Sequence, residues 1–126
     1  MSGPLEGLRV VEMGLWVAGP GAAGILADWG ADVVKIEAPT GDPARSFQRT
    51  LGGDLPVNPV FELDNRSKRS IVVDLSTDGG RDLAAELVAG ADVFLTNVRP
   101  TALARVGLDH ETLRARHPRL VYALIT

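Results

Sequence analysis

Five short apolar runs, separated by stretches of helical character, constrain this chain more than anything else in it. Leu8-Arg9-Val10-Val11-Glu12-Met13, Val33 to Glu37, Ser70 to Leu75, Val93 to Thr96 and Leu120 to Ile125 are rich in β-branched residues and nearly continuous in apolar character. A strand without strict alternation needs cover on both faces, and a helix between successive strands makes their connection parallel. The pattern predicts an α/β fold: an open parallel sheet with helices on both faces.

The segments between the runs refine this. Gly14 to Gly24 is rich in small residues and reads as a loop leaving the first strand. A helical segment through Ile25, Leu26 and Trp29 follows, with Trp29 expected in the core and Gly30 as the stop. Strand, glycine loop, helix and strand together span about thirty residues, the size of one βαβ crossover in a Rossmann-like sheet. From Pro39 to about Asp64 periodicity is lost among four prolines, and the expectation there is at most a short helical turn near Ser46 to Thr50. Ser76 or Thr77 can cap a helix carrying Leu83, Ala84, Leu87 and Val88 at helical spacing, ended by Gly90. Pro100 sits where another helix can begin, and Asp109 can cap a short helix from His110 to Arg116. A parallel strand normally feeds a ligand loop at its carboxyl end. With the fifth run at the end of the chain, residues 1–126 are expected to be the incomplete N-terminal part of a larger domain.

At 126 residues there is room for one compact domain. The net charge of −3 gives no global field for nucleic acid or an anionic membrane, so anion recognition would have to be local. There is no cysteine, which removes disulfides, zinc-thiolate sites and a thiol nucleophile. His110 and His117 lack a metal-binding partner at helical spacing, and no metal site is expected. The opening residues do not resemble a signal peptide, and no apolar stretch approaches the roughly 18 residues that span a bilayer. A cytoplasmic location is the expectation.

Gly19-Pro20-Gly21-Ala22-Ala23-Gly24 fits G-x-G-x-x-G, with Glu37 closing the second strand where a dinucleotide fold offers an acid to ribose. Two features weaken an NAD reading. The first glycine of that fingerprint follows the strand almost at once, whereas Gly14-Leu15-Trp16-Val17-Ala18 intervenes here. Pro20 also lacks the backbone donor its slot would use. What survives is a stretch of small residues after a strand, able to admit a flat or anionic ligand or to let a helix pack closely. Trp16, beside it, can serve either ligand contact or packing.

Several stretches, in order, resemble one family. Pro4-Leu5-Glu6-Gly7-Leu8-Arg9-Val10-Val11-Glu12, Val17-Ala18-Gly19-Pro20, the run from Leu26 to Glu37 and Gly41-Asp42-Pro43-Ala44-Arg45 are similar to the opening of type III (CaiB/BaiF) CoA-transferases. Asn65 to Ile71, Asp74-Leu75, Ala91-Asp92-Val93, Asn97-Val98-Arg99-Pro100, Arg105-Val106-Gly107-Leu108 and Pro118 to Tyr122 continue the resemblance over essentially the whole chain. The resemblance implies transfer of CoA from an acyl-CoA to a carboxylic acid, through an aspartate that attacks the thioester and becomes an aspartyl-CoA. It implies an interlocked homodimer, and it places the nucleophilic aspartate and a small domain beyond Thr126. No catalytic residue is therefore expected here, and Asp28, Asp32 and Asp92 are read as turn residues.

The same resemblance implies CoA contacts at Val17 and Ala18 near the thiol arm. It implies others at Val73, Asp74, Leu75 and Ser76, at Asn97, Val98 and Arg99, and at Arg105, which would meet phosphate. Two positions depart from the pattern: Ala38 and Ser76 stand where some relatives carry a cation. Arg45 or Lys68 could compensate. Arg66, Lys68 and Arg69 form the densest basic cluster, suited equally to phosphate, to solvent or to ion pairs. The α-methylacyl-CoA racemases of the same family share this part of the chain and remain an alternative, as do an NAD-type module and a non-catalytic half-fold offering its open sheet to a partner.

Overall fold

The computed structural model describes residues 3–50 and 52–126, so Met1 and Ser2, where the reading of the opening segment begins, lie outside it. Five parallel strands, β1 (Arg9–Met13), β2 (Asp32–Glu37), β3 (Arg69–Val72), β4 (Val93–Thr96) and β5 (Val121–Leu124), form one sheet in the order β3-β2-β1-β4-β5. The expected open parallel sheet is present. The order reverses between β1 and β4, which is the position of the topological switch point in a doubly wound sheet.

Helices cover both faces, as the uninterrupted apolar runs require. On one face α1 (Ala18–Asp28) sets Ala23 and Ala27 against Val10, Val33 and Leu95. On the other, α4 (Asp78–Ala89), α5 (Pro100–Arg105) and α6 (His110–Arg116) pack Ala84, Val88, Leu103 and Leu113 around Val11 and Phe94. Consecutive residues thus point into separate cores: Val10 and Val11 on β1, Phe94 and Leu95 on β4. Two further helices, α2 (Phe47–Thr50) and α3 (Pro59–Asn65), lie between β2 and β3, and α3 packs along α1.

Helix boundaries follow their caps. Thr77 accepts the Gly80 N–H and starts α4, and Asp109 accepts the Thr112 N–H and starts α6. Thr77→Ala is expected to destabilise the protein by about 1 kcal/mol, measured as a shift in the urea midpoint at unchanged slope. Gly30, at φ 100°, turns the chain out of α1 into β2.

Four expectations are corrected. The glycine-rich stretch is not a loop through Gly24, because α1 begins at Ala18. Small residues are needed there by α3: a Cβ on Gly24 would stand 2.9 Å from the Asp64 carbonyl oxygen, and one on Gly21 3.3 Å from its carboxylate. Pro20 falls in the first turn, where a missing N–H costs nothing. Second, Trp29 is not core; it follows the last residue of α1 and is 53% exposed. Third, the aperiodic region holds more than a turn near Ser46, since Asn58 caps α3 through the Val60 and Phe61 N–H groups, with Pro59 at its first position. Fourth, β3 ends at Val72; Val73 still donates to the Glu37 carbonyl, but Asp74 and Leu75 belong to the loop.

Candidate functional site at the carboxyl edge

Parallel strands deliver their following loops to one edge, so the segments after β1, β2, β3 and β4 gather there. The loops after β1 and β4 meet at the switch point. Leu15 N–H donates to Asn97 Oδ1 at 2.8 Å, and Asn97 Nδ2 donates back to the Leu15 carbonyl at 2.8 Å. The Asn97 amide thus acts as a short bridge between loops. Beside it opens a cleft of about 450 Å³, lined by Ala18, Asn97, Val98, Arg99 and Pro100 together with Leu124, Ile125 and Thr126. A groove of similar size, about 470 Å³, lies at the opposite edge against α4, where Arg9, Asp32 and Arg69 begin their strands. The carboxyl-edge cleft is the candidate site, because loop chemistry converges there.

The amino terminus of α1 borders this cleft. Its N-cap, Val17, has no side-chain acceptor, and its first turn contains no acid. The Val17 and Ala18 N–H groups find no acceptor among the described residues. Arg99 caps α5 from an exposed position and has no carboxylate within ion-pair distance among the described residues. Together these leave donors and one free guanidinium at the mouth of the cleft.

Of the ten residues singled out from sequence, the structure brings Ala18, Asn97, Val98 and Arg99 into one cleft, with Val17 beside it. Val73, Asp74, Leu75 and Ser76 lie at the same edge but beyond β2, in the loop after β3. Val73 is buried, so only its backbone can reach a ligand. Asp74 folds that loop by accepting the Ser76 N–H and hydroxyl at 2.9 and 2.6 Å, contacts that lower its pKa. Arg81 holds the Leu75 and Ser76 carbonyls from below. Arg105 is exposed at the last position of α5, a helix length of about 9 Å from the edge where α5 starts.

The basic cluster is committed within the chain. Arg66 pairs with Asp28 at 2.6 Å and Arg69 with Asp32 at 2.7 Å, while Asp92 accepts the Arg9 N–H. Asp28 ends α1 and Asp32 opens β2, so in place of the local turn contacts expected of these aspartates and of Asp92, each meets a partner distant in sequence. Neither proposed substitute for the missing cations is free. Lys68 is buried against Glu12 at 3.1 Å, and Arg45 is locked onto Glu37 through two bonds of 2.8 and 2.6 Å.

Glu37 is consequently unavailable to a ribose. Arg45, then the Ser70 hydroxyl and the Asp42 N–H, hold its pKa at about 2 against an ordinary 4.5. A carboxyl group with a depressed folded-state pKa contributes stability that is complete above the unfolded value and is lost as pH falls through the folded one. Acid unfolding should therefore steepen between pH 4.5 and about 2, and Glu37→Gln should flatten that limb while leaving the slope above pH 5 unchanged. Circular dichroism followed across pH checks this.

Sequence reasoning missed the most deeply buried charges. Glu12 and Lys35 are register partners on β1 and β2, and with Asp42 and Lys68 they form a quartet whose side chains are at most 2% exposed. The available signal was an acid and a lysine at matching positions within otherwise apolar strands.

The fold defines a class: a doubly wound parallel α/β sheet with a cleft beside its switch point. The family model for CoA-transferase family III matches residues 5–126. The chain is 42% identical over 123 residues to the cinnamoyl-CoA:phenyllactate CoA-transferase of Clostridium sporogenes, covering 96% of this chain and 30% of that one. It is 44% identical over 128 residues to the succinate–glutarate CoA-transferase of Agrobacterium fabrum, covering 98% and 32%. A crystal structure of a CaiB/BaiF family protein from Brucella suis superposes with a TM-score of 0.90 at 41% identity, covering 100% of this chain and 34% of that one. The chain belongs to CoA-transferase family III, and it spans about a third of the length of the relatives it matches.

Proposed function

We propose that the protein transfers CoA from an acyl-CoA to a carboxylic acid, and that these 126 residues supply part of its CoA-binding surface. The observation carrying this reading is the carboxyl-edge cleft, where an uncapped helix terminus and an unpaired Arg99 stand within one group of loops. CoA bears a pyrophosphate and a 3′-phosphate, which call for backbone N–H donors and guanidinium forks. Arg99 and the backbone of Val98 would meet the phosphorylated half. The Asp74 to Ser76 loop would lie along the adenosine, and the Val17 and Ala18 backbone would border the thioester. Arg105 serves phosphate only where the ligand runs along α5.

The reaction needs a nucleophile, and the proposed one is an aspartate outside residues 1–126, passing through an acyl anhydride and an aspartyl-CoA thioester. Residues 1–126 alone are proposed to lack transferase activity, and the working protein to be an interlocked homodimer. An NAD module is disfavoured, since its ribose acid is occupied by Arg45 and its first glycine sits inside α1.

Calorimetric titration of the whole protein with CoA and with NAD tests the binding reading. CoA should bind at micromolar to millimolar concentration and NAD should give no saturable heat; saturable NAD binding without CoA binding rejects it. A trapped aspartyl-CoA adduct supports transfer. Deuterium exchange at the acyl α-carbon without release of CoA would assign the protein to the racemase branch.

A further inference from the structure

The loop leaving β1 is held at every backbone group from Gly14 to Trp16 except one carbonyl, and most of the grip comes from the buried quartet. Lys35 Nζ lies 3.1 Å from Glu12 Oε1 and 3.0 Å from Asp42 Oδ2, and donates to the Gly14 carbonyl at 2.9 Å. Glu12 accepts the Gly14 N–H at 2.8 Å and pairs through its other oxygen with Lys68, which also donates to the Pro20 carbonyl in the first turn of α1. Asp42 accepts the Trp16 N–H at 3.1 Å. These are the chain's only two lysines, and two carboxylates balance them.

Such a buried assembly is a poor source of net stability compared with apolar packing, so its presence calls for another role. Trp16 supplies a clue. It sits at φ 64°, left-handed backbone that a bulky side chain rarely adopts, immediately before Val17. A sparsely populated conformation persists when its surroundings over-determine it, and here the determinants are the quartet, the Asn97 bridge and the edge of Phe47 against the indole.

We propose that the quartet is a positioning device, in which Lys35 and Asp42 fix Trp16 in its left-handed conformation and so aim the free Val17 and Ala18 amides at the reacting thioester. This rests on the CoA-transferase reading above. Lys35 and Asp42 touch no substrate; they act through the backbone of Gly14 and Trp16. The chemistry of acyl transfer places negative charge on a carbonyl oxygen or a departing sulfur, and amides held rigidly before the reaction stabilise it without reorganising. The adenosine end, bound elsewhere along the edge, should be indifferent to the quartet.

The test uses the whole protein carrying Lys35→Met with Asp42→Leu, a charge-neutral change that leaves Glu12 paired with Lys68 and removes the acceptor of the Trp16 N–H. Three quantities are measured: kcat, calorimetric affinity for CoA, and the 19F resonance of 5-fluorotryptophan at Trp16, assigned with Trp16→Phe. The expected result is a shifted or broadened Trp16 resonance, a fall in kcat of about tenfold to a hundredfold, and CoA affinity within about threefold of the parent. An unmoved Trp16 resonance, or an unchanged kcat despite a moved one, overturns the proposal. So does a loss of affinity equal to the loss of kcat, because a general structural lesion would do that. If the double variant fails to fold, Asp42→Ala alone, which removes the acceptor of the Trp16 N–H while Lys35 keeps Glu12, is read by the same three measurements and the same outcomes. Failure of the parent protein to bind CoA would reject the functional reading instead, while the Trp16 resonance would still report whether the quartet holds the loop.

Discussion

Glu12→Ala should be the most damaging single substitution in the central strand, at about 3–5 kcal/mol, because it strands a buried cation. Glu12 is fully buried and contacts both lysines, one with each oxygen. Without it Lys35 keeps Asp42, but Lys68 retains only the neutral Asn65 and Pro20 oxygens. Burial already lowers the Lys68 pKa from 10.5, and Glu12 is the main influence resisting that shift. In the variant the pKa falls further, so the folded state binds its proton less tightly than the unfolded chain does. The deficit should therefore be full near neutral pH and shrink as pH rises toward 10.5. Urea titrations at pH 7 and pH 9.5 check both magnitude and sign; a deficit below about 1 kcal/mol at pH 7 would mean that water reaches the quartet.

Gly80→Ala should also be severe, against the expectation from helix propensity. Alanine in place of glycine within a helix normally stabilises by about 1 kcal/mol. At Gly80 the added Cβ would stand 1.9 Å from the Asp74 carbonyl oxygen, a separation no pair of such atoms tolerates. The loop must move by more than an ångström, breaking the bonds from the Thr77 N–H and hydroxyl to that carbonyl. We expect a loss of about 1–3 kcal/mol, and a several-fold weakening of CoA binding if the Asp74 to Ser76 loop lines the adenosine. Gly79→Ala is the matched control: its Cβ meets nothing within 4 Å, so it should be neutral or stabilising. Thermal melts of the pair, together with calorimetry, separate the two effects.

The sheet was legible because its central strands are buried on both faces, and Val10-Val11 or Phe94-Leu95 can belong only to a strand covered twice, whereas Val72 and Val121 on the outer strands are exposed. Helices with side-chain caps were legible from Thr77 and Asp109. α3 was not read, although Asn58-Pro59 carries a start signal, because seven residues with only Phe61 and Asp64 buried leave too little periodicity. Trp29 was misplaced because size was taken for burial, while its position just after α1 leaves the indole facing outward. The candidate site was half legible. The family pattern singled out residues that the fold gathers at the carboxyl edge, and cysteine absence and charge narrowed the chemistry. The quartet left a sequence signal only in Glu12 and Lys35, because its members come from four separate segments and Lys68 sits in a sequence neighbourhood that looks like an exposed basic patch. Arg45 was read as a spare phosphate ligand for the same reason: its commitment to Glu37 depends on a turn that only the fold creates.

The strand order also dictates when β1 gains both of its neighbours in the sheet. β1 is made first and ends in the middle of the sheet; it meets β2 across a separation of 23 residues but β4 only across 83. During synthesis one side of the earliest strand therefore stays unzipped until nearly three quarters of these residues have emerged, with Val10 and Val11 offering an apolar ribbon to any stray chain. Slow translation between β3 and β4 would lengthen that exposure, whereas delay after β5 would not.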